Sequence, residues 1–276
     1  MGWGFHTIGF IIYRMKTTKS LIGIFVFIAV LLVTGACSGN ATTTSTPLEI
    51  TPPDVSTNTP TAAPVLQTTE TPIVPTVDPV YFRDDFDDIL QPGWTWLREI
   101  PGQWSLDKVP GSLRIAGGRG SVNAETMTNI LLRPAPAGDF QIETILTFEP
   151  DQNFQFAGLV VYQDNNNFIQ AGQGYCRGGG CVSRGLYMNY YGRGLIVPPN
   201  FAQSYKNNAV VLRLTRKATS YIFEISGDGK VFYKVGAHES DMTPLQVGVL
   251  AGQNVDGIST TIPALFDYFE MSSPAP

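Results

Sequence analysis

Val210–Gly236 reads VVLRLTRKATSYIFEISGDGKVFYKVG. In its first half Val210, Leu212 and Leu214 alternate with Val211, Arg213 and Thr215. In its second half Tyr221, Phe223 and Ile225 alternate with Ile222 and Glu224. Successive side chains of a β-strand point to opposite faces, so a period of two marks a strand with one face on a core. The Gly227-Asp228-Gly229 triplet between two apolar runs predicts a hairpin turn. The same period recurs upstream, where Phe140, Ile142, Leu146 and Phe148 alternate with Gln141, Glu143 and Thr147. Turn residues divide the runs at Pro110-Gly111, Gly117-Gly118 and Asp164–Asn167, and no long segment carries a convincing helical period. About a dozen short strands with turns between them predict an all-β fold, an antiparallel β-sandwich. The two end segments, Phe82–Phe86 and Leu265–Phe269, are aromatic and acidic. They are expected to pair and to bring the domain's ends together.

Ahead of this region the chain changes character. Leu21–Val33 has neither charge nor proline, follows Lys16 and Lys19, and precedes Thr34-Gly35-Ala36 and Cys37. A positive n-region, a short apolar h-region and small residues before a cleavage site make an export signal. The run is 13 residues long; at about 1.5 Å each it spans roughly 20 Å, short of a ~30 Å hydrocarbon core, which favours cleavage over a retained helix. The segment resembles a bacterial lipobox, whose last residue, here Cys37, receives diacylglycerol; Thr34 stands where leucine is usual. Met15 is the expected translation start, because Gly9–Tyr13 is only a small apolar patch cut off by Arg14. Residues 41–80 hold 12 Thr and 8 Pro and no aromatic or basic residue. Such a stretch cannot bury a core and reads as an extended, disordered tether. The expected organisation is a signal peptide over 1–36, a lipidated cysteine and linker over 37–80, the sandwich over 81–273 and a tail over 274–276. That describes an exported, membrane-anchored monomer facing the periplasm or the cell exterior.

The domain carries 15 Lys and Arg against 19 Asp and Glu, a net charge of −4. With no basic block or stripe, nucleic acid is not an expected partner. His238 is its only histidine, which excludes a zinc or two-metal site built on histidines.

Five segments carry a family resemblance. GWTWLREIPGQWSL from Gly93 and PGSLRI from Pro110 resemble the opening of the concanavalin A-like domain at the C-terminus of family 43 β-xylosidases. AGLVVYQDNNNFI from Ala157 is similar to that family's central strand, turn and strand. FEISGDGKVFYKVG from Phe223 is similar to its hairpin with a Ser-x-Asp-Gly turn, and ALFDYFEM from Ala264 to its last strand. The related DUF1349-type domain of secreted bacterial proteins is close to it. The resemblance implies a jelly-roll sandwich of laminin G or lectin type. In the xylosidases this domain is an accessory to a catalytic propeller, for which this chain has no room.

A glycosidase needs two suitably spaced carboxylates. The Glu-x-Asp-x-x-Glu strand pattern of jelly-roll glucanases does not occur. A pair drawn from separate strands, such as Glu143 with Glu224, leaves a stand-alone glycoside hydrolase open as the alternative, and a structural or protein-binding envelope module is the third reading. A serine triad would have to use His238, and no Gly-x-Ser-x-Gly elbow exists. Sugar binding without catalysis needs flat aromatic faces for C–H surfaces and polar groups for hydroxyls. If Leu186, Met188 and Tyr190 face the core, then Tyr187, Asn189 and Tyr191 face outwards. The same alternation is expected to bring Glu143, Gln170 and Arg213 to that surface, with Tyr162 nearby. The leading expectation is therefore a polysaccharide- or glycoconjugate-binding domain. Trp94, Trp96 and Trp104 are expected to pack. Pairing of the end strands would gather Asp84 or Asp85 with Asp267, an oxygen cluster of the kind calcium takes; no other cofactor is implied. Cys176 and Cys181 flank Arg177 and three glycines, and an even pair in an exported protein reads as a disulfide beside the groove, with a free pair as the alternative.

Overall fold

The structure is a computed structural model that describes residues 80–253 and 262–275. The segments expected to be an export signal and a tether, with Cys37 between them, lie outside the described residues. Two antiparallel sheets form the sandwich. Sheet I holds β1 (Val80–Asp84), β3 (Trp104–Ser105), β4 (Leu113–Gly117), β6 (Phe140–Thr147), β11 (Ala209–Lys217), β12 (Ser220–Ser226), β13 (Tyr233–Glu239), β15 (Ile262–Phe266) and β16 (Phe269–Ser272). Sheet II holds β2 (Thr95–Leu97), β5 (Ile130–Pro134), β7 (Gln155–Asp164), β8 (Asn167–Cys176), β9 (Ser183–Gly192), β10 (Leu195–Ser204) and β14 (Gln246–Gln253). Sheet I runs β13-β12-β11-β6-β15-β4-β3, and sheet II runs β10-β9-β8-β7-β14-β5-β2.

The alternation read from the sequence becomes the inner face of each sheet. Phe140, Ile142 and Leu146 of β6, Leu212 and Leu214 of β11, and Tyr221 and Phe223 of β12 are fully buried. They meet Leu159, Val161, Ile169, Leu186, Met188 and Val247 of sheet II in one core cluster. Each such side chain contributes roughly 1.5–3 kcal/mol when fully buried. Thr144 breaks the apolar series of β6 and is nonetheless fully buried. The reason lies opposite, where β15 and β16 form one strand broken at Asp267-Tyr268. Both halves pair with β6, and the Thr144 hydroxyl donates to the Tyr268 carbonyl at 2.5 Å. The hydroxyl satisfies a carbonyl that the interrupted ladder leaves without a strand partner.

The end strands do pair, β1 with β16, with Asp84 opposite Phe269 and Arg83 opposite Glu270. The turn at 227–229 is a side-chain cage. Ser226 Oγ accepts from the Gly229 amide at 2.9 Å, and Asp228 Oδ1 accepts from the Lys230 and Val231 amides. Those bonds hold the Asp228 carboxyl below its ordinary value.

Sheet II has a second buried layer that periodicity does not reveal. The segment between β4 and β5 folds over its outer face, where Val122 and Met127 cover Ile130, Leu132, Phe156, Val160, Phe168 and Leu250. Arg98 Nε donates to the Met127 carbonyl at 2.6 Å and fixes this cover. Gly120 allows its turn: φ is +131°, and a Cβ there would lie 2.4 Å from the Thr126 carbonyl.

Candidate functional site

The outer face of sheet II is a groove. Cross-strand register sets the outer side chains of this sheet in rows, with Tyr162, Phe168, Tyr191 and Ile196 in one, Val160, Gln170 and Asn189 in the next, and Gly158, Gly172, Tyr187 and Ala202 in a third. The glycines of the third row leave no space for a side chain. A Cβ on Gly158 would stand 2.3 Å from the Ala171 carbonyl oxygen, and one on Gly172 would stand 2.1 Å from that of Ala157. The groove has two compartments, of about 380 and 740 Å³, that meet at Tyr191 and Ile196. The smaller is walled by the Cys176–Cys181 hairpin, with Phe154, Phe156 and Tyr175. The larger lies between the 119–126 cover and the β9–β10 hairpin.

Each aromatic ring is held by a different device. Tyr191 stacks on Phe168, with centroids 4.4 Å apart and planes 11° apart, which leaves its other face to the groove. Tyr187 leans over Gly174, its hydroxyl donating to the Ser183 carbonyl at 2.5 Å and accepting from the Val182 amide at 3.2 Å. The ring is thereby tied to the cysteine hairpin, and the expected Cys176–Cys181 disulfide is present. Burial raises both phenol pKa values, so both hydroxyls stay protonated. Gln170 is 2% exposed, and its Oε1 has no hydrogen-bond partner among the described residues. Asn189 Nδ2 reaches Asn200 Oδ1 at 3.4 Å.

Of the residues proposed from the sequence, Gln170, Tyr187, Asn189 and Tyr191 come together here. Tyr162 lies on the same face but is 8% exposed, covered by Met127 and its neighbours, with its hydroxyl donating to Asn165. Glu143 and Arg213 are a correction. They belong to β6 and β11 of sheet I and point outwards from the opposite side of the sandwich. Alternation placed them correctly on an outer face, but a sandwich has two.

On that other face they form a closed charge ladder. The register puts Glu224, Arg213, Glu143, Glu270 and Arg83 side by side on successive strands. Arg213 binds Glu143 Oε2 through Nε at 2.8 Å and Nη2 at 2.7 Å, and its guanidinium lies 3.3 Å from the Phe232 ring centre. Tyr268 donates to the second oxygen of Glu143 at 2.5 Å, and Arg83 binds Glu270 at 2.9 Å. Burial, then the bond to Glu143, raises the Tyr268 phenol well above its ordinary pKa. Two like charges directly opposed across strands repel; here an arginine flanks each. Glu143 and Glu224 stand two strands apart with Arg213 between them, so the space a glycosidic bond would need holds a guanidinium.

The acidic residues considered for calcium do not converge. Asp84 accepts from the Phe86 and Gln91 amides and from Trp94 Nε1, Asp85 pairs with Arg83, and Asp267 accepts from Ser112. No three His, Cys, Asp or Glu gather at a metal-sized space among the described residues. The tryptophans pack against the core, with Trp96 and Trp104 4.8 Å apart. Phe154, Tyr175, Ile196 and Asn200 of the groove were not foreseen. A usable signal was the series Gln170-x-Gly172-x-Gly174, small residues alternating on the outer side of a strand whose inner side carries Ile169 and Ala171.

Known proteins share this architecture. The chain is 26% identical over 196 residues to the non-reducing end α-L-arabinofuranosidase BoGH43B of Bacteroides ovatus, covering 68% of this chain and 36% of that protein. The crystal structure of the GH43 protein BlXynB of Bacillus licheniformis superposes with a TM-score of 0.61 at 21% identity, over 70% of this chain and 39% of that one. The Bacteroides ovatus xyloglucan PUL GH43B structure gives 0.60 at 25% identity, over the same shares. The chain thus spans little more than a third of these relatives. The family model of the β-xylosidase C-terminal concanavalin A-like domain matches residues 83–272, and the chain belongs to that family.

Proposed function

We propose that this domain is a non-catalytic carbohydrate-binding module whose ligand lies in the groove on sheet II. The observation that carries the reading is the groove's composition. Tyr187 and Tyr191 supply aromatic surface, Gln170, Asn189 and Asn200 supply carboxamides, and none of its lining residues is an Asp or Glu among the described residues. Aromatic faces suit the C–H side of a sugar ring, and amides both give and accept hydroxyl hydrogen bonds. Without a carboxylate in the lining, the described residues of the groove offer no acid/base pair of the kind glycoside hydrolysis uses. The matched relatives are carbohydrate-active by name, which favours a polysaccharide or glycoconjugate as ligand.

The address is part of the proposal. Export through the Leu21–Val33 signal, lipidation of Cys37 and a Thr/Pro tether would hold the module at a membrane surface. Neighbouring copies would then raise its effective concentration on a polymer. Labelling with a radioactive fatty acid tests the anchor, with label on the wild type and none on Cys37→Ala as the expected result.

Affinity electrophoresis in gels containing soluble polysaccharides tests the binding. Retardation is expected, and Tyr191→Ala should weaken it about three- to tenfold, the worth of one aromatic contact. Tyr268→Phe, on the far face, should leave it unchanged. Equal retardation of wild type and Tyr191→Ala would remove the groove as the site. Release of reducing sugar that disappears in Glu143→Gln would replace binding by hydrolysis.

A further inference from the structure

We propose that the ligand is an uncharged oligosaccharide chain laid along the groove across Tyr191, and that Gln170 is the residue that selects it. The inference rests on the sugar-binding reading above and narrows it to a chemical class.

Length comes from the cavity. The compartments of about 380 and 740 Å³ are neighbours that share Tyr191 and Ile196 in their linings. Each alone has the size of a small-molecule pocket, typically ~300–1,000 Å³. Two in line suit a chain rather than a single ring. Tyr191 lies where they join, braced by Phe168 beneath it, so a sugar unit crossing from one to the other passes over its open face.

Charge comes from the lining. Among the described residues the smaller compartment is bordered by no Asp, Glu, Lys, Arg or His, and the larger by one charged side chain, Arg119, which has a partner within the protein. A uronate or sulfate placed in the smaller compartment would lose its water and meet aromatic rings and neutral amides instead of a cation, an unfavourable exchange.

Selection comes from Gln170. A buried carboxamide oxygen with no partner is costly, and natural structures rarely keep one without a use. Gln170 Oε1 is such an atom, in a side chain that lines the smaller compartment in register with Asn189. An acceptor seeks a donor. A sugar hydroxyl can donate to Oε1 and accept from Nε2, whereas a carboxylate or sulfate can only accept. One carboxamide thus favours hydroxyl-rich neutral chains and disfavours anionic ones.

The test is calorimetric titration of the full chain with neutral xylo-, gluco- and manno-oligosaccharides of two and six units, and with polygalacturonate and heparin as polyanions. The proposal expects binding of at least one neutral series, affinity rising roughly tenfold or more from the dimer to the hexamer, and none of the polyanions bound as tightly. Gln170→Met, which keeps volume and removes the amide, should fold as the wild type by circular dichroism and bind the neutral hexamer roughly tenfold more weakly. Tighter binding of a polyanion than of every neutral chain overturns the proposal and leaves the sugar-binding reading standing. So does equal binding of dimer and hexamer, or a Gln170→Met variant that binds undiminished. No binding to any glycan overturns both. If Gln170→Met does not fold, the wild-type contrast between neutral and anionic polymers decides by itself.

Discussion

Replacing Asp84 by asparagine should destabilise the domain far more than replacing its neighbour Asp85. Asp84 is 2% exposed and gathers three donors. The Phe86 amide reaches Oδ1 at 2.9 Å, and the Gln91 amide and Trp94 Nε1 reach Oδ2 at 2.9 and 2.7 Å. The first of these bonds stabilises Phe86, fully buried, at a left-handed φ of 55°. Asparagine can keep its one oxygen toward Gln91 and Trp94, and then places its NH₂ against the Phe86 amide. One hydrogen bond to a charged acceptor is lost, at about 1.5–3 kcal/mol, and the other two fall to neutral strength, at about 1 kcal/mol each, so the expected loss is about 3.5–5 kcal/mol. Arg133 adds to this. Its guanidinium sits 3.0 Å from the Phe82 ring centre, burial lowers its pKa to about 10, and the Asp84 charge is what opposes that shift. A domain of this size is stable by some 5–15 kcal/mol, so the variant should sit near its folding threshold. Urea unfolding with linear extrapolation measures the change, the m-value serving as a check that both variants unfold the same structure. Asp85, whose side chain is 56% exposed and pairs only with Arg83, should lose no more than about 0.5 kcal/mol as asparagine. If Asp84→Asn loses under about 1 kcal/mol, or no more than Asp85→Asn, the three-donor account is wrong.

Opening the Cys176–Cys181 bridge by Cys176→Ser with Cys181→Ser removes a loop closure of sequence separation 5, for which the chain-entropy estimate is about 2 kcal/mol. Because Tyr187 is tied to that hairpin through Val182 and Ser183, glycan affinity should fall with it, and unchanged thermal stability and affinity would contradict both links. Gly120→Ala forces a side chain onto the Thr126 carbonyl at a φ of +131° and should cost about 1–3 kcal/mol. Hydrogen exchange should then accelerate over 119–127 and not in β6 or β11; protection unchanged throughout would refute the strain. His238 is 3% exposed between Tyr190 and Phe201, and burial lowers its pKa while a bond to the Met188 backbone opposes the shift. The unfolded chain therefore binds this proton first. The stability it leaves intact above about pH 6.5 should decline as pH falls below that value, by at most about 1.4 kcal/mol per unit. Urea midpoints between pH 7.5 and 5 should show this slope in the wild type and lose it in His238→Phe.

The strands, the hairpin and the family were legible in the amino-acid sequence. Those depend on local facts: a period of two in β6, β11 and β12, Gly and Asp at a turn, and short motifs in a fixed order. It also separated inward from outward residues, because alternation is a property of the backbone and needs no partner. It could not say which outer face a residue occupies. That depends on which strands pair. Glu143 meets Arg213 at a separation of 70 residues and Tyr268 at 125, while Gln170 finds Asn189 beside it within the β8–β9 hairpin. Nor could periodicity show the cover formed by Val122 and Met127, since a loop crossing a sheet has no repeat to detect. Only the tertiary structure turned one imagined site into two surfaces. One is a charge ladder in which Arg213 and Arg83 bind Glu143 and Glu270, and the other is a groove whose buried Gln170 Oε1 has no partner among the described residues. Long-range pairing made that division, because β6 pairs with the distant β11 and β16 in one sheet while the consecutive strands β7 to β10 pair with one another in the other.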